Sequence, residues 1–346
     1  MKTKAYAALS AGSPLVPYTF ERRDVGDHDV ALKISYSGIC HSDIHQVAEE
    51  WGPSIFPMVP GHEIAGIVSS VGSKVTKFKI GDAIGVGVFI DSCRVCDNCT
   101  TGLQQYCVKG MIGTYNGLES DGETVAMGGY SDLFVINEDY ALHIPANLDL
   151  KGVAPLLCAG ITLYSPIKRW NVSPGMHVAV MGLGGLGHMG VKFAVAMGAH
   201  VTVLSHSPGK EADAFAMGAH SFVATNNPDN FKSIQKSFDL ILNTISAEVA
   251  IDDYLKLLKL DGTLVVVGIP GEPYKINVRN LLSGRRSIAG SMIGGLPEIQ
   301  EMLDFCGKHN ILSEVEVVSA DYINEAYVRT VASDVKYRFV IDASTI

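Results

Sequence analysis

Val178-Ala179-Val180-Met181-Gly182-Leu183-Gly184-Gly185-Leu186-Gly187-His188-Met189-Gly190-Val191 decides the fold. An apolar run of strand length enters a glycine-rich turn, and a helical pattern follows over Leu186–Met197. A G-x-G-x-x-G hexapeptide is weak evidence alone. Between a strand and a helix it becomes a dinucleotide fingerprint. Gly182 permits the tight turn, Gly184 lets a pyrophosphate approach the backbone, and Gly187 allows close helix–strand packing. Gly185 and Leu186 complete the turn, so the helix N-terminus faces the anion.

The pattern around this stretch repeats. Apolar runs at Val178–Met181, Val201–Leu204, Phe238–Leu242 and Thr263–Val267 alternate with helical stretches at Leu186–Met197, Gly209–Met217 and Val249–Leu258. Such alternation predicts a parallel sheet with helices on both faces, an α/β Rossmann domain. Residues 1–150 read differently, as short strands separated by Gly, Pro and Asp. Val30, Leu32, Ile34 and Tyr36 alternate as a strand with one buried face does, and Glu63–Val71 and Asp82–Phe89 also read as strands. Beyond residue 290, Pro297 opens a helix with Ile299, Met302, Leu303 and Cys306 on one face. A helix near Asp321–Val331 and a strand at Tyr337–Ile341 follow.

Bulk properties narrow the function. The 346 residues suit two domains, and a composition 47% hydrophobic and 18% charged supports a substantial core. The formal net charge is −9 and no Lys/Arg block occurs, which argues against nucleic acid as a partner. The apolar region His177–Ala199 is interrupted by glycines and Lys192, so no membrane span is expected there. The start Met1–Leu9 faintly mimics a signal peptide, but its apolar run is broken by polar residues and Pro14, so none is expected. Seven cysteines, an odd number with four clustered, fit reduced thiols in a cytoplasmic protein.

The end of the second Rossmann strand bears on the choice of dinucleotide. An NAD enzyme usually places Asp or Glu there. Here the run is Ser205-His206-Ser207-Pro208-Gly209-Lys210. Ser205 and Ser207 can donate to a 2′-phosphate and Lys210 supplies charge, so NADP(H) is the expected cofactor. The same Ser-Pro-Gly also suits a helix start, and the two roles are compatible.

Cys93-x2-Cys96-x2-Cys99-x7-Cys107 places four thiols in one loop. Four thiolates in a closed set are the usual structural zinc site, with an iron–sulfur cluster as the alternative user of such ligands. Other cysteines and histidines are dispersed, among them Cys40, His62 and Cys158, and spacing does not join them.

A resemblance does. Gly61-His62-Glu63-Ile64-Ala65-Gly66 followed by Gly72 and Val75 matches the zinc alcohol dehydrogenase signature G-H-E-x2-G-x5-G-x2-V. With the four-cysteine loop and Gly182–Gly187, the chain resembles the medium-chain dehydrogenase/reductase superfamily. It is most similar to the cinnamyl alcohol dehydrogenase branch and its bacterial NADPH aldehyde reductases. Cys40-His41-Ser42-Asp43-Ile44-His45, Trp51, Pro155–Thr162, Gly290-Ser291-Met292-Ile293-Gly294, Glu301–Cys306 and Tyr337–Asp342 fall in matching order, so the likeness spans the chain.

The resemblance implies a GroES-like catalytic domain over 1–155 and 291–346, with a structural zinc lobe at 93–107, and a Rossmann domain over 156–290. It implies a catalytic zinc on Cys40, His62 and Cys158, with Glu63 close by and Asp43 orienting the zinc-bound histidine, hence two zinc ions per chain. Ser42 and His45 match the proton relay. Thr162, Gly268 and Ser291 match cofactor contacts, and His41 and Arg338 match residues near the pyrophosphate. Trp51 and Met292 match substrate-pocket positions, and a homodimer is implied. The implied reaction is reversible hydride transfer between NADP(H) and primary alcohols or aldehydes. Where plant members carry Trp after the cysteine loop, this chain reads Ile112-Gly113-Thr114-Tyr115, and Met292 replaces a Phe. A less aromatic pocket and a broad aldehyde range follow.

Two other readings predict different residues. A polyol or sugar dehydrogenase of the same superfamily usually prefers NAD, with an acid where Ser205 stands. A sensor or structural protein that lost the chemistry would be expected to lose ligands or relay residues, all of which are present here. His188 is expected to cap the fingerprint helix, and Cys306 to lie in the core.

Overall fold

Alternating apolar residues around Leu32 form the strand Asp29–Gly38 in the computed structural model, which describes residues 1–346. Both faces of this strand are covered, because Ala31 is as fully buried as Val30 and Leu32. The strand is the hub of a seven-stranded sheet. It pairs antiparallel with Ile64–Val71, Leu133–Asn137 and Arg338–Asp342. Beyond Ile64–Val71 the sheet continues to Ala83–Val86 and Leu142–His143, and Val315–Val318 closes the other edge. The expected single strand over Asp82–Phe89 is two, Ala83–Val86 and Phe89–Asp91, broken at Gly87. Burying Val30, Leu32 and Ile34 contributes roughly 1.5–3 kcal/mol each, enough to set this register. The consequence for function is positional: the strand delivers Cys40 to one end of a rigid sheet.

This sheet belongs to a unit made of Met1–Ile161 and Gly294–Ile346, and residues Thr162–Ile293 form a second unit. In the first, the helix Leu296–His309 has Pro297 in its first turn and ends at left-handed Asn310 (φ 54°). Its buried face is Ile299, Met302, Leu303 and Cys306, at the helical spacing of the sequence.

The second unit is an α/β doubly wound fold. Its six strands run parallel in the order Ser221–Ala224, His200–Ser205, His177–Met181, Phe238–Asn243, Leu258–Val266, Ser287–Gly290. Numbered along the chain that order is 3-2-1-4-5-6, so the strand order reverses beside His177–Met181. Val178–Met181 is fully buried, as a central parallel strand must be. The helix expected over Val249–Leu258 ends at Leu255, because Leu258 already begins a strand. At the opposite, N-terminal ends of the strands His177, His200 and His220 stack in a row, with ring centroids 4.9 and 4.6 Å apart. No single helix is long and apolar enough to cross a membrane.

Candidate active site

Three separate segments bring the dispersed ligands together. Cys40 precedes the helix His41–Val47, His62 and Glu63 lie just before the strand Ile64–Val71, and Cys158 precedes the helix Ala159–Arg169. One ligand atom from each of Cys40, His62, Glu63 and Cys158 falls within 4.8 Å of all the others, and all four residues are buried. The two sulfurs are 4.0 Å apart. His62 Nδ1 lies 3.1 Å from Asp43 Oδ1. The ring therefore donates through Nδ1, and Nε2 is left buried without a partner. An orphaned imidazole nitrogen between two thiols is costly in a closed protein and suited to a borderline-soft cation. Two Cys and one His with an open position is a donor set that fits catalytic zinc.

The electrostatics agree. The bond from Cys158 and the positive charge of Arg338 hold the Cys40 thiol well below its ordinary value, against the effect of burial. Burial opposes charge on His62, but Asp43 and Cys40 outweigh it and hold the imidazole well above its usual value. Burial pushes the Glu63 carboxyl up to about 8, with Arg338 pulling the other way. Arg338 is buried and bonds Glu63 Oε1, while its Nη2 also donates to Ile39 O at 2.8 Å. A Cβ at Gly38 would lie 1.9 Å from Glu63 Oε2, so any larger residue there would displace the carboxylate.

Ser42 Oγ lies 3.5 Å from Cys40 Sγ. On the same short helix the His45 ring stacks on Trp51, with centroids 4.9 Å apart, and stands 6.2 Å from the His41 ring. Two residues that the sequence reading passed over complete this region. Glu50 bonds His45 Nδ1 through Oε2. Asn116, in a left-handed turn (φ 57°), accepts from Ile55 N at 2.8 Å and donates to Gln46 Oε1 at 2.6 Å. It thereby clamps the loop that carries Glu50 and Trp51. Tyr115 stacks on His62 with centroids 5.8 Å apart.

The four-cysteine loop forms a second cluster, again with all ligand atoms within 4.8 Å. Cys96 and Cys99 sulfurs are 3.4 Å apart, and Cys93 N donates to Cys107 Sγ at 3.4 Å. Backbone amides of Val108 and Cys99 bring the Cys96 thiol down to about 6, so it offers a thiolate at neutral pH. Ser92 Oγ sits 3.2 Å from Cys99 Sγ and 2.7 Å from Tyr140 Oη.

In the other unit, Gly182 has φ +94°, and a Cβ on Gly187 would come 2.0 Å from Gly182 O. Nothing lies within 4 Å of the space a Cβ on Gly184 would fill, so the turn is open there. Leu186 precedes the helix Gly187–Ala196 without a side-chain cap. His188 is not the expected cap: it is fully buried in the first turn and donates through Nδ1 to Gly184 O at 3.2 Å. A cap must accept from an amide, and this ring faces a carbonyl. Lys210 Nζ donates to Leu183 O at 2.8 Å, and Ser205 Oγ accepts from Ser207 N at 3.3 Å. The cation and both serines are thus gathered next to the glycine turn. Gly268 packs on Thr244 and Ile245, which also flank Gly182, and Ser291 N donates to Val266 O at 3.2 Å. Thr162 is buried in the helix Ala159–Arg169, and Met292 is half-exposed.

Known proteins resemble this chain in sequence and fold. Residues 26–146 match the alcohol dehydrogenase GroES-like domain and residues 185–308 the zinc-binding dehydrogenase family. NADP-dependent alcohol dehydrogenase C 1 of Mycolicibacterium smegmatis is 57% identical, over 99% of this chain and 98% of its own length. The chain belongs to the zinc-dependent medium-chain alcohol dehydrogenase family. Aldehyde reductase YahK of Escherichia coli is 51% identical to this dehydrogenase over 100% of its chain and 99% of YahK. The crystal structure of CAD from Helicobacter pylori, complexed with NADP(H), superposes on the dehydrogenase with a TM-score of 0.93 at 44% identity, covering 99% of each chain.

Proposed function

We propose that this dehydrogenase interconverts primary alcohols and aldehydes with NADP(H), and serves as a broad-range aldehyde reductase. The observation that carries the reading is the bare His62 Nε2 inside the Cys40–Glu63–Cys158 cluster. It belongs to a chain whose full length matches NADP-dependent alcohol dehydrogenases. When bound, zinc would supply Lewis acidity at the substrate oxygen and the nicotinamide would supply the hydride. The chain's own residues do the rest. Cys40, His62 and Cys158 hold the metal, and Asp43 keeps the His62 tautomer that can ligate. Ser42 gives the proton to the substrate oxygen in reduction and takes it in oxidation, and His45 with Glu50 exchanges it with solvent. Arg338 bonds Glu63 and Ile39 O and leaves Nε without a partner, and it is a further proposed contact near the pyrophosphate.

The cofactor reading rests on the 156–290 segment. The open backbone at Gly184 is where a pyrophosphate can approach, and Ser205, Ser207 and Lys210 are the proposed 2′-phosphate contacts. Ser205 stands where a polyol dehydrogenase would carry an acid, so the polyol reading loses its main residue. Thr162, Gly268, Ser291 and His41 are further proposed cofactor contacts, and Trp51 and Met292 proposed apolar substrate contacts. Cys93, Cys96, Cys99 and Cys107 are proposed to hold a second, structural zinc. The proposed location is the cytoplasm, where four thiols stay reduced.

The edge strand Ser287–Gly290 pairs with only one neighbour, and exposed Val278 and Leu282 precede it. We propose that it pairs with a second copy to form a homodimer. Sedimentation at micromolar concentration should give the dimer mass, and a monomer would contradict this. The activity is tested by a panel of aromatic and aliphatic aldehydes with NADPH and NADH. Turnover of several aldehydes with NADPH is expected, and turnover of polyols with NAD alone would overturn the reading.

A further inference from the structure

A carboxylate offers about four lone-pair positions, and Asp43 has a partner for each. Its Oδ2 accepts from Cys40 N at 2.9 Å and from Tyr130 Oη at 3.0 Å. Its Oδ1 accepts from Gly61 N at 3.2 Å and from His62 Nδ1 at 3.1 Å. Cys40, Gly61 and His62 belong to the segments that carry the metal ligands themselves. Tyr130 reaches Asp43 from a separate part of the chain, as does Tyr115, which stacks on His62 and also bonds the carboxylate.

Tyr130 is built in at both ends. Its backbone N donates to Pro60 O and its carbonyl accepts from Tyr6 N, each at 2.9 Å. Its ring is fully buried and occupies the space over Gly61, where a Cβ would come 2.6 Å from Tyr130 Cδ1. Tyr327, on the helix Ile323–Val331, meets it edge-on with centroids 6.4 Å apart and hydroxyls 3.5 Å apart.

We propose that Tyr130 is a positioning residue for the Cys40–His62–Cys158 metal site, acting through Asp43. Its hydroxyl holds the carboxylate in the rotation that turns Oδ1 to His62 Nδ1. The ring is then fixed with Nδ1 on the carboxylate and Nε2 on the side of the ligand cluster. Without that donor the carboxylate can rotate or draw in water. The His62 ring then loses its fixed acceptor and can turn Nε2 away from the position that ligates. The inference rests on reading this cluster as a zinc site, and its failure is distinguishable from failure of that reading.

The experiment is a double-mutant cycle on the full-length protein with Tyr130→Phe and Asp43→Asn. Zinc is removed from the exchangeable site with a mild chelator, and its rebinding is measured against a chromophoric chelator. Cobalt in the same site gives a visible spectrum that reports ligand geometry. Tyr130→Phe should weaken zinc by about tenfold and shift the cobalt bands. In the Asp43→Asn background the same change should alter affinity by no more than about twofold. Equal zinc affinity in Tyr130→Phe and wild type would overturn the proposal. So would an equal tenfold loss with and without Asp43, since the phenol would then act on the fold and not on the carboxylate. If wild type takes up no zinc that Cys40→Ser removes, the zinc-site reading itself fails.

Discussion

Replacing Ser205 by Asp should turn the enzyme from NADPH towards NADH. Ser205 ends its strand 4% exposed, and Lys210 Nζ is tied to Leu183 O in the glycine turn at 2.8 Å. A cation so placed needs only a small movement to meet a 2′-phosphate beside that turn. A charge-assisted hydrogen bond is worth about 1.5–3 kcal/mol, or roughly 10- to 100-fold in affinity. Lys210→Ala should therefore lower kcat/KM for NADPH by about that factor and leave NADH nearly unchanged. Ser205→Asp does more, because it repels the phosphate and also accepts from the free ribose hydroxyls of NADH. The NADPH/NADH ratio of kcat/KM should then fall by about a hundredfold or more. The assay is initial rates with both cofactors and one good aldehyde. Equal efficiency of the two cofactors in wild type, or an unchanged ratio in both variants, would refute the reasoning about this loop.

The two cysteine clusters should respond differently to a single sulfur-to-oxygen change. Cys40→Ser should remove activity by about a thousandfold or more while thermal unfolding stays near wild type. Cys93→Ser should lower the melting temperature or cause aggregation, because a structural metal contributes folding free energy. Reversed outcomes would reverse the roles given to the clusters. Asn116→Ala removes the clamp on the loop of Glu50 and Trp51. It should raise KM for aromatic aldehydes by about fivefold, spare short aliphatic ones, and change Trp51 fluorescence. Uniform effects on both substrate classes would mean that the loop does not contact the substrate.

The parts of this protein that were readable in its sequence are those with local causes. Gly182 and Gly187 announce their turn through local causes, a left-handed φ at one and Gly182 O 2.0 Å from a Cβ on the other. The helix at Leu296–His309 was legible from Pro297 and from the spacing of its apolar face. The parts that were not readable have partners far along the chain. Asp43 meets Tyr130, Gln46 meets Asn116, and Glu63 meets Arg338, and no periodicity encodes such pairs. The ligand set itself was joined only by family resemblance, for the same reason. Leu255, Leu257 and Leu258 show the other limit: all are fully buried, so apolar character alone could not mark where the helix stops and the strand begins.

The central claim is that aldehyde reduction by NADPH depends on a metal held by Cys40, His62 and Cys158. The most direct measurement is NADPH oxidation with an aromatic aldehyde by protein stripped of its exchangeable zinc, then titrated with zinc. The account predicts that stripping abolishes turnover, that about one equivalent of zinc per chain restores it, and that Cys40→Ser protein is not restored. Stripped protein that keeps its rate, or Cys40→Ser protein that recovers it, would contradict the account.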